Sequence, residues 1–119
     1  MKKMIMLIFL LNFLVFAQTA QEIINENGCF ACHAIASKKT APAFAGIARK
    51  NLRFEGSNAK ATIMNSIKNG SKGKFRRFAG AEMPSFRDFD DEMLNTLADY
   101  ILSLSSQAKG CSNPKMGMR

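Results

Sequence analysis

The stretch Cys29-Phe30-Ala31-Cys32-His33 decides how the rest of the chain is interpreted. Two thiols three residues apart, followed directly by a histidine, form the attachment pattern for c-type haem. The spacing lets one helical turn present both thiols to the vinyl groups of a single porphyrin. His33 follows at a position from which its imidazole can bind the iron. We therefore predict one haem c, covalently attached through Cys29 and Cys32, with His33 as an axial ligand.

Three other interpretations of this motif are open: a redox-active Cys-x-x-Cys pair, a zinc site and chance. A thioredoxin-like pair requires a βαβ setting, and nothing near the motif alternates like a strand. Zinc takes about four ligands, and outside the motif only Cys111 is an obvious candidate. A motif of only five residues can occur by chance. The export signal and the other haem features of the chain nevertheless favour haem attachment.

The first residues have the pattern of a secretory signal peptide. Met1-Lys2-Lys3 is basic, and residues 4–17 are apolar except for Asn12. The small residues Val15 and Ala17 favour cleavage after Ala17. An uncleaved anchor is the alternative, but this apolar stretch is shorter than the about 17–25 residues that span a membrane. Residues 1–17 are therefore predicted to direct export to the periplasm and to be removed.

The remaining chain is long enough for one small domain, predicted over residues 18–106, with a flexible tail over 107–119. A large apolar cofactor would form a major part of the core of so small a domain. Cys111 lies in the predicted tail. It could be a free thiol, part of an intermolecular disulfide, or a modified site.

The charge balance is basic, with 17 Lys and Arg against 9 Asp and Glu. A basic protein suggests nucleic-acid binding, but these charges are scattered and the chain is predicted to be exported, so we expect no nucleic-acid partner. We expect instead that basic side chains steer docking to acidic surfaces of redox proteins. The candidates are Lys38, Lys39, Lys72 and Lys74.

The hydrophobic pattern predicts an all-α domain. Helices are expected over 21–27, over 44–50, from an N-cap at Ser57 to Asn69, and from 90–92 to about 105. Two helical stripes of apolar residues support the last two of these helices: Ile63, Met64 and Ile67; and Leu94, Leu97, Ile101 and Leu104. Residues 71–89 are expected to form a long functional loop.

Met83 is the predicted sixth ligand of the iron. After the leader, the methionines are Met64, Met83, Met93, Met116 and Met118. Met83 alone lies on a loop between predicted helices, and Pro84 restricts it to extended geometry. His/Met ligation is typical of electron carriers. Because it leaves no vacant coordination position for oxygen or peroxide, we expect an electron-transfer protein and not an enzyme.

In its ordered series of motifs the chain resembles the small, soluble class I monohaem cytochromes c of bacteria, over about residues 21–105. The resemblance depends on the following segments: Gly28 to Ile35, Pro42 with Phe44 and Ile47-Ala48, Ile67 to Gly73, Met83-Pro84, and Asp90 to Tyr100. It implies the class I cytochrome c fold, with about four short helices around the haem. It also implies that the Pro42 carbonyl accepts a hydrogen bond from His33 and that the first and last helices cross at Ile24 and Tyr100.

The chain departs from the family pattern at several positions. Ala41 stands where the family often has glycine, and Phe75 where small bacterial members often have a tryptophan that donates to a haem propionate. Arg76 or Arg77 could supply that contact instead. Phe86 lies where some members have an asparagine near the methionine sulfur.

The resemblance implies a periplasmic one-electron carrier between respiratory complexes. Its partners would be a quinol–cytochrome c reductase, a terminal oxidase or a periplasmic reductase, with membrane contact only through those complexes, and the protein would be a monomer. The alternative is a cytochrome subunit dedicated to a larger periplasmic oxidoreductase, for example one that oxidises sulfur compounds. A haem sensor or peroxidase has the weakest support, because His33 is the only histidine.

Overall fold

A computed structural model describes residues 17–72, 80 and 82–108. These residues contain four α-helices: α1 (Ala20–Glu26), α2 (Phe44–Glu55), α3 (Ala59–Asn69) and α4 (Asp91–Ser103). Single 3₁₀ turns occur at Cys29–Ala31, Gly56–Asn58 and Ser105–Gln107. The described part contains no strand, which agrees with the predicted all-α fold.

Helix α1 is short and depends on its N-terminal cap. The Thr19 hydroxyl accepts a hydrogen bond from the Glu22 amide, and the Glu22 carboxylate accepts one from the Thr19 amide at 2.9 Å. This capping box satisfies two amides that the helix itself cannot. Its signature, Thr-x-x-Glu, is visible in the sequence, and the helix that it begins lies one residue before the predicted range 21–27.

The first amides of helix α2 are hydrogen-bonded to backbone carbonyls that directly follow the Cys-x-x-Cys-His motif. The amides of Phe44 and Ala45 donate to the carbonyls of Ala34 and Ile35, each at 2.9 Å. These bonds satisfy amides of the first turn that have no partner within the helix. They also connect the start of α2 directly to the motif segment.

The structure corrects two predicted boundaries. Helix α2 continues to Glu55 and does not end at Lys50, because residues 51–55 contain no glycine or proline, and Gly56 follows as the C-cap. Ser57 is not an N-cap: it lies inside the 3₁₀ turn Gly56–Asn58, and Asn58 occupies the cap position of α3 without a side-chain bond. At α4 the prediction holds, since the Asp90 carboxylate accepts from the Met93 amide at 2.8 Å.

One hydrophobic core joins the four helices, and α4 packs against each of the other three. Both predicted stripes contribute to it, with Met64 only partly buried. The buried members are Ile23, Ile24, Phe44, Ala45, Ala48, Ile63, Ile67, Phe89, Leu94, Leu97, Ala98, Ile101 and Leu104. Phe89 was not singled out from the sequence, since it lies on a loop without periodicity. Burial of this apolar surface is the main source of stability.

Several sequence predictions fall outside the described residues. They concern residues 1–16 of the signal peptide predicted over 1–17, the basic segment with Lys74, Phe75, Arg76 and Arg77, and the tail with Cys111. Within the described ranges, no helix has both the length and the apolar character needed to cross a membrane.

Candidate haem-binding site

The two cysteines lie on one tight turn. Gly28 adopts the left-handed conformation, with φ of 68°, and this ends the approach from α1. The amides of Cys32 and His33 then both donate to the carbonyl of Cys29, at 3.3 and 3.0 Å. Cys29 is half-buried against the core and Cys32 is exposed, and neither forms a disulfide. Burial raises the pKa of the Cys29 thiol.

His33 is the one polar residue buried in the described part of the chain, at 8% exposure. Its Nδ1 atom lies 2.7 Å from the carbonyl oxygen of Pro42, the contact that the resemblance implies. Because a carbonyl can only accept, Nδ1 carries the proton and Nε2 is left with its lone pair. Burial lowers the pKa of His33, and the hydrogen bond to Pro42 opposes this in part. A neutral imidazole with a free Nε2 is the form that binds a metal.

The ring of Phe44 limits how the His33 ring can turn. The two rings are stacked, with centroids 5.0 Å apart and planes 18° apart. Phe44 also contacts Phe30, which lies between the two cysteines, with ring centroids 5.9 Å apart. Since Phe44 is also a core residue, the packing of α2 is coupled to the orientation of the histidine.

Residues 39–41 hold the motif turn from outside. The Lys39 ammonium donates to the Phe30 carbonyl at 2.9 Å, and the Ala41 amide donates to the Cys32 carbonyl at 3.0 Å. The Thr40 hydroxyl adds a longer bond to the same Cys32 carbonyl at 3.4 Å. The sequence suggested Lys39 only as a steering charge, since no local pattern distinguishes a lysine that reaches nine residues back.

Met83 lies outside the helices, as predicted, and is attached to the end of α3. The Ser71 amide donates to the Met83 carbonyl at 3.2 Å, and the Met83 amide donates to the Ser71 hydroxyl at 3.0 Å. The Phe86 amide donates to the carbonyl of Ile67, at 3.1 Å, which fixes the chain on the other side of Met83. The side chain of Met83 is half-buried against the core.

Gly70 makes this close approach possible. Its φ of 75° lies in the region that favours glycine, and a Cβ at this position would lie 2.7 Å from the Met83 carbonyl oxygen. It would also lie 3.1 Å from backbone atoms of Pro84 and Ser85. Any other residue would push the Met83–Ser85 backbone away from α3. The sequence predicted Gly70 only as a helix end.

The donor set of these residues fits a covalently attached haem. Two free thiols lie on one turn, a buried neutral imidazole has one nitrogen free, and the thioether of Met83 packs on the same core as Cys29. Imidazole and thioether are the axial ligands found in cytochromes c. The fold gives no support to a zinc site. Among the described residues, no three or more His, Cys, Asp or Glu side chains are placed to bind one metal ion.

Phe86 departs from the family pattern, in a region where some members have an asparagine. It is half-buried and contacts Phe89, with ring centroids 4.9 Å apart. This aromatic pair extends the core beneath the segment that follows Met83. Phe86 therefore contributes packing here and offers no side-chain hydrogen-bond donor.

Comparisons with known proteins identify the family of this chain. The family model described as cytochrome c matches residues 17–105. Cytochrome c-551 of Pseudomonas aeruginosa is 38% identical over 88 residues, which cover 73% of this chain and 78% of that protein. Cytochrome c-551 of Pseudomonas denitrificans is 36% identical, over 72% of this chain and 98% of its own length.

The backbone is also similar to those of solved cytochromes c. The class 1 cytochrome MtoD from Sideroxydans lithotrophicus aligns with a TM-score of 0.59 at 30% identity, covering 72% of this chain and 92% of that one. Cytochrome c552 of Nitrosomonas europaea aligns with a TM-score of 0.59 at 31% identity, covering 71% and 98%.

Proposed function

Since the chain belongs to the cytochrome c family and transfers electrons, we propose that it is a periplasmic one-electron carrier whose iron is bound by His33 and Met83. Its cofactor is one haem c, covalently attached through Cys29 and Cys32. The haem supplies a single iron that cycles between Fe(II) and Fe(III). Every other feature of the proposal concerns what the side chains and backbone of this chain do around that iron.

The observation that carries the proposal is that both candidate axial residues are held through hydrogen bonds of their own. The imidazole of His33 is oriented by the Pro42 carbonyl at 2.7 Å and by the stacked ring of Phe44. The backbone of Met83 is bonded to Ser71 in both directions. Ligands held in this way move little when the iron changes charge. A small rearrangement would favour fast electron transfer. With both axial positions taken by His33 and Met83, no coordination position would remain for a substrate.

Export to the periplasm follows from the predicted leader over residues 1–17. Its basic start, short apolar core and small residues before the cut are typical of secreted proteins. Covalent haem attachment requires reduced thiols at the time of attachment, and the exposed Cys32 and half-buried Cys29 are both accessible from the motif turn.

We assign partner recognition to basic side chains. Two of them follow the haem motif in the sequence, and the third, Lys72, precedes the Met83 segment. Lys38, Lys39 and Lys72 are exposed, and Lys39 is held against the motif turn by its bond to the Phe30 carbonyl. Positive charge at this position would attract acidic docking surfaces and raise the encounter rate more than the affinity. The partners proposed are a reductase that delivers electrons and an oxidase or periplasmic reductase that accepts them.

The test is the visible spectrum of the protein exported together with haem-maturation machinery. The expected result is a low-spin c-type spectrum, with the iron–methionine sulfur band in the oxidised protein and no change when carbon monoxide is added to the reduced protein. The variant Met83→Leu should lose that band and bind carbon monoxide, whereas Met64→Leu, which replaces a half-buried methionine of α3, should keep it. A wild-type protein that binds carbon monoxide readily would overturn the electron-carrier proposal in favour of a sensor or peroxidase.

A further inference from the structure

Ser71 and Met83, which are 12 residues apart in the sequence, are joined by two hydrogen bonds. The Ser71 amide donates to the Met83 carbonyl, and the Met83 amide donates back to the Ser71 hydroxyl, at 3.2 and 3.0 Å. The side chain of Ser71 thus accepts the one backbone hydrogen bond that Met83 can donate.

Two further contacts hold the Met83 backbone against α3. Gly70 allows the Met83–Ser85 backbone to lie against the end of α3, and the Phe86 amide is bonded to the Ile67 carbonyl within α3. Ile67 is itself a core residue. The position of Met83 is therefore fixed relative to the packed helix α3.

We infer that Ser71 is a positioning residue for Met83, and that its hydroxyl keeps the thioether in place against displacement by other ligands. The inference rests on the proposed function, since it takes Met83 as the axial ligand. Ser71 does not reach the iron in this role; it acts through the Met83 amide. Without the hydroxyl, that half-buried amide loses its partner, and an unpaired buried donor costs free energy. The backbone at Met83 would then sample positions from which the sulfur is more easily displaced.

The chain offers matched variants for a test. Ser71→Ala removes the acceptor, Ser71→Thr retains it, and Ser85→Ala removes an exposed hydroxyl two residues beyond Met83. The ferric, haem-loaded proteins are titrated with imidazole, which replaces the methionine, while the iron–sulfur band is followed. Urea unfolding of each variant is measured in parallel. For Ser71→Ala we expect imidazole to bind roughly threefold to tenfold more tightly, the change produced by loss of one ordinary hydrogen bond. Ser71→Thr and Ser85→Ala should match the wild type.

The outcomes separate the two proposals. If the wild type lacks the iron–sulfur band, the proposed ligation fails and the role of Ser71 fails with it. If the wild type has the band but Ser71→Ala binds imidazole like Ser85→Ala, Met83 remains a ligand and only the role of Ser71 is overturned. A Ser71→Ala protein with lower unfolding free energy but unchanged imidazole affinity would show a merely structural serine and also overturn it.

Hydrogen exchange of the wild-type Met83 amide gives a second measurement, which serves if Ser71→Ala does not accumulate. The bond to Ser71 predicts that this amide exchanges slowly, at a rate similar to the Phe86 amide that bonds to Ile67. Exchange at the rate of an exposed amide would overturn the inference without any variant.

Discussion

The Nδ1 atom of His33 lies 2.7 Å from the carbonyl oxygen of Pro42, nine residues further along the chain. This bond fixes the tautomer of the imidazole, so that Nε2 keeps its lone pair. Proline suits this position because its ring fixes φ and restricts the preceding residue. The bond thus places the carbonyl and the histidine against each other before any metal contributes to the geometry.

Gly70 and Gly46 should respond to alanine with opposite signs. Gly70→Ala places a Cβ 2.7 Å from the Met83 carbonyl oxygen at a positive φ, and we expect a loss of about 1–3 kcal/mol in the free energy of unfolding. Gly46 lies inside α2 with nothing within 4 Å of an added Cβ, so Gly46→Ala should gain about 0.5–1 kcal/mol. Urea unfolding measures both. Equal effects at the two positions would contradict the close approach at Gly70.

Phe44 should be far more sensitive to substitution than Phe54, although both lie on α2. Phe44 is buried and stacked on His33, whereas Phe54 is 69% exposed. We expect Phe44→Ala to cost about 3–5 kcal/mol through the cavity it leaves. Phe54→Ala should change the free energy of unfolding by no more than about 0.5 kcal/mol. Chemical denaturation of the two variants measures the difference. Similar losses of unfolding free energy would contradict the burial of Phe44 against His33.

The N-cap of α4 provides an independent check of the last helix. Asp90 accepts a hydrogen bond from the Met93 amide, and Asp91 in the first turn is exposed. Asp90→Ala should destabilise the protein by about 1 kcal/mol. Asp91→Ala, which removes the same charge without the cap, should lose only about 0.3–1 kcal/mol, an effect screened by salt. Thermal unfolding at low and high salt distinguishes them: the loss at Asp90 persists in high salt, and an effect that vanished there would refute the cap.

Basic side chains near the motif should control the salt dependence of electron transfer. Replacing Lys38, Lys39 and Lys72 by glutamine should lower the second-order rate with an acidic redox partner on the order of tenfold at low ionic strength. Glutamine is chosen because it can still donate to the Phe30 carbonyl as Lys39 does. The difference should fall as salt screens the charges.

The control for that experiment is a second triple variant, which loses the same amount of positive charge from α2 and α3. Replacing Lys50, Lys60 and Lys68 by glutamine removes three positive charges from these helices. Rates should stay close to those of the wild type if docking occurs near the motif. An equal loss in both triple variants would mean that net charge, and not a docking surface, sets the rate.

Much of the fold was predictable from local sequence patterns. Leu94, Leu97 and Ile101 recur at helical spacing and are buried as expected, because the period of an α-helix forces such residues onto one face. The family resemblance also gave the contact between His33 and Pro42. The end of α2 and the cap of α3 were predicted wrongly, since a polar run such as that around Ser57 suits an exposed helix, a 3₁₀ turn and a loop alike.

The sequence by itself determined which side chains are candidates for the haem site: two thiols at a haem spacing, one histidine directly after them, and Met83 before a proline. Only the tertiary structure decided how these residues are held. The Ser71 hydroxyl on the Met83 amide and the Lys39 ammonium on the Phe30 carbonyl join residues 12 and 9 positions apart. No periodic pattern encodes such bonds, because each depends on where packing brings one backbone group near one particular side chain.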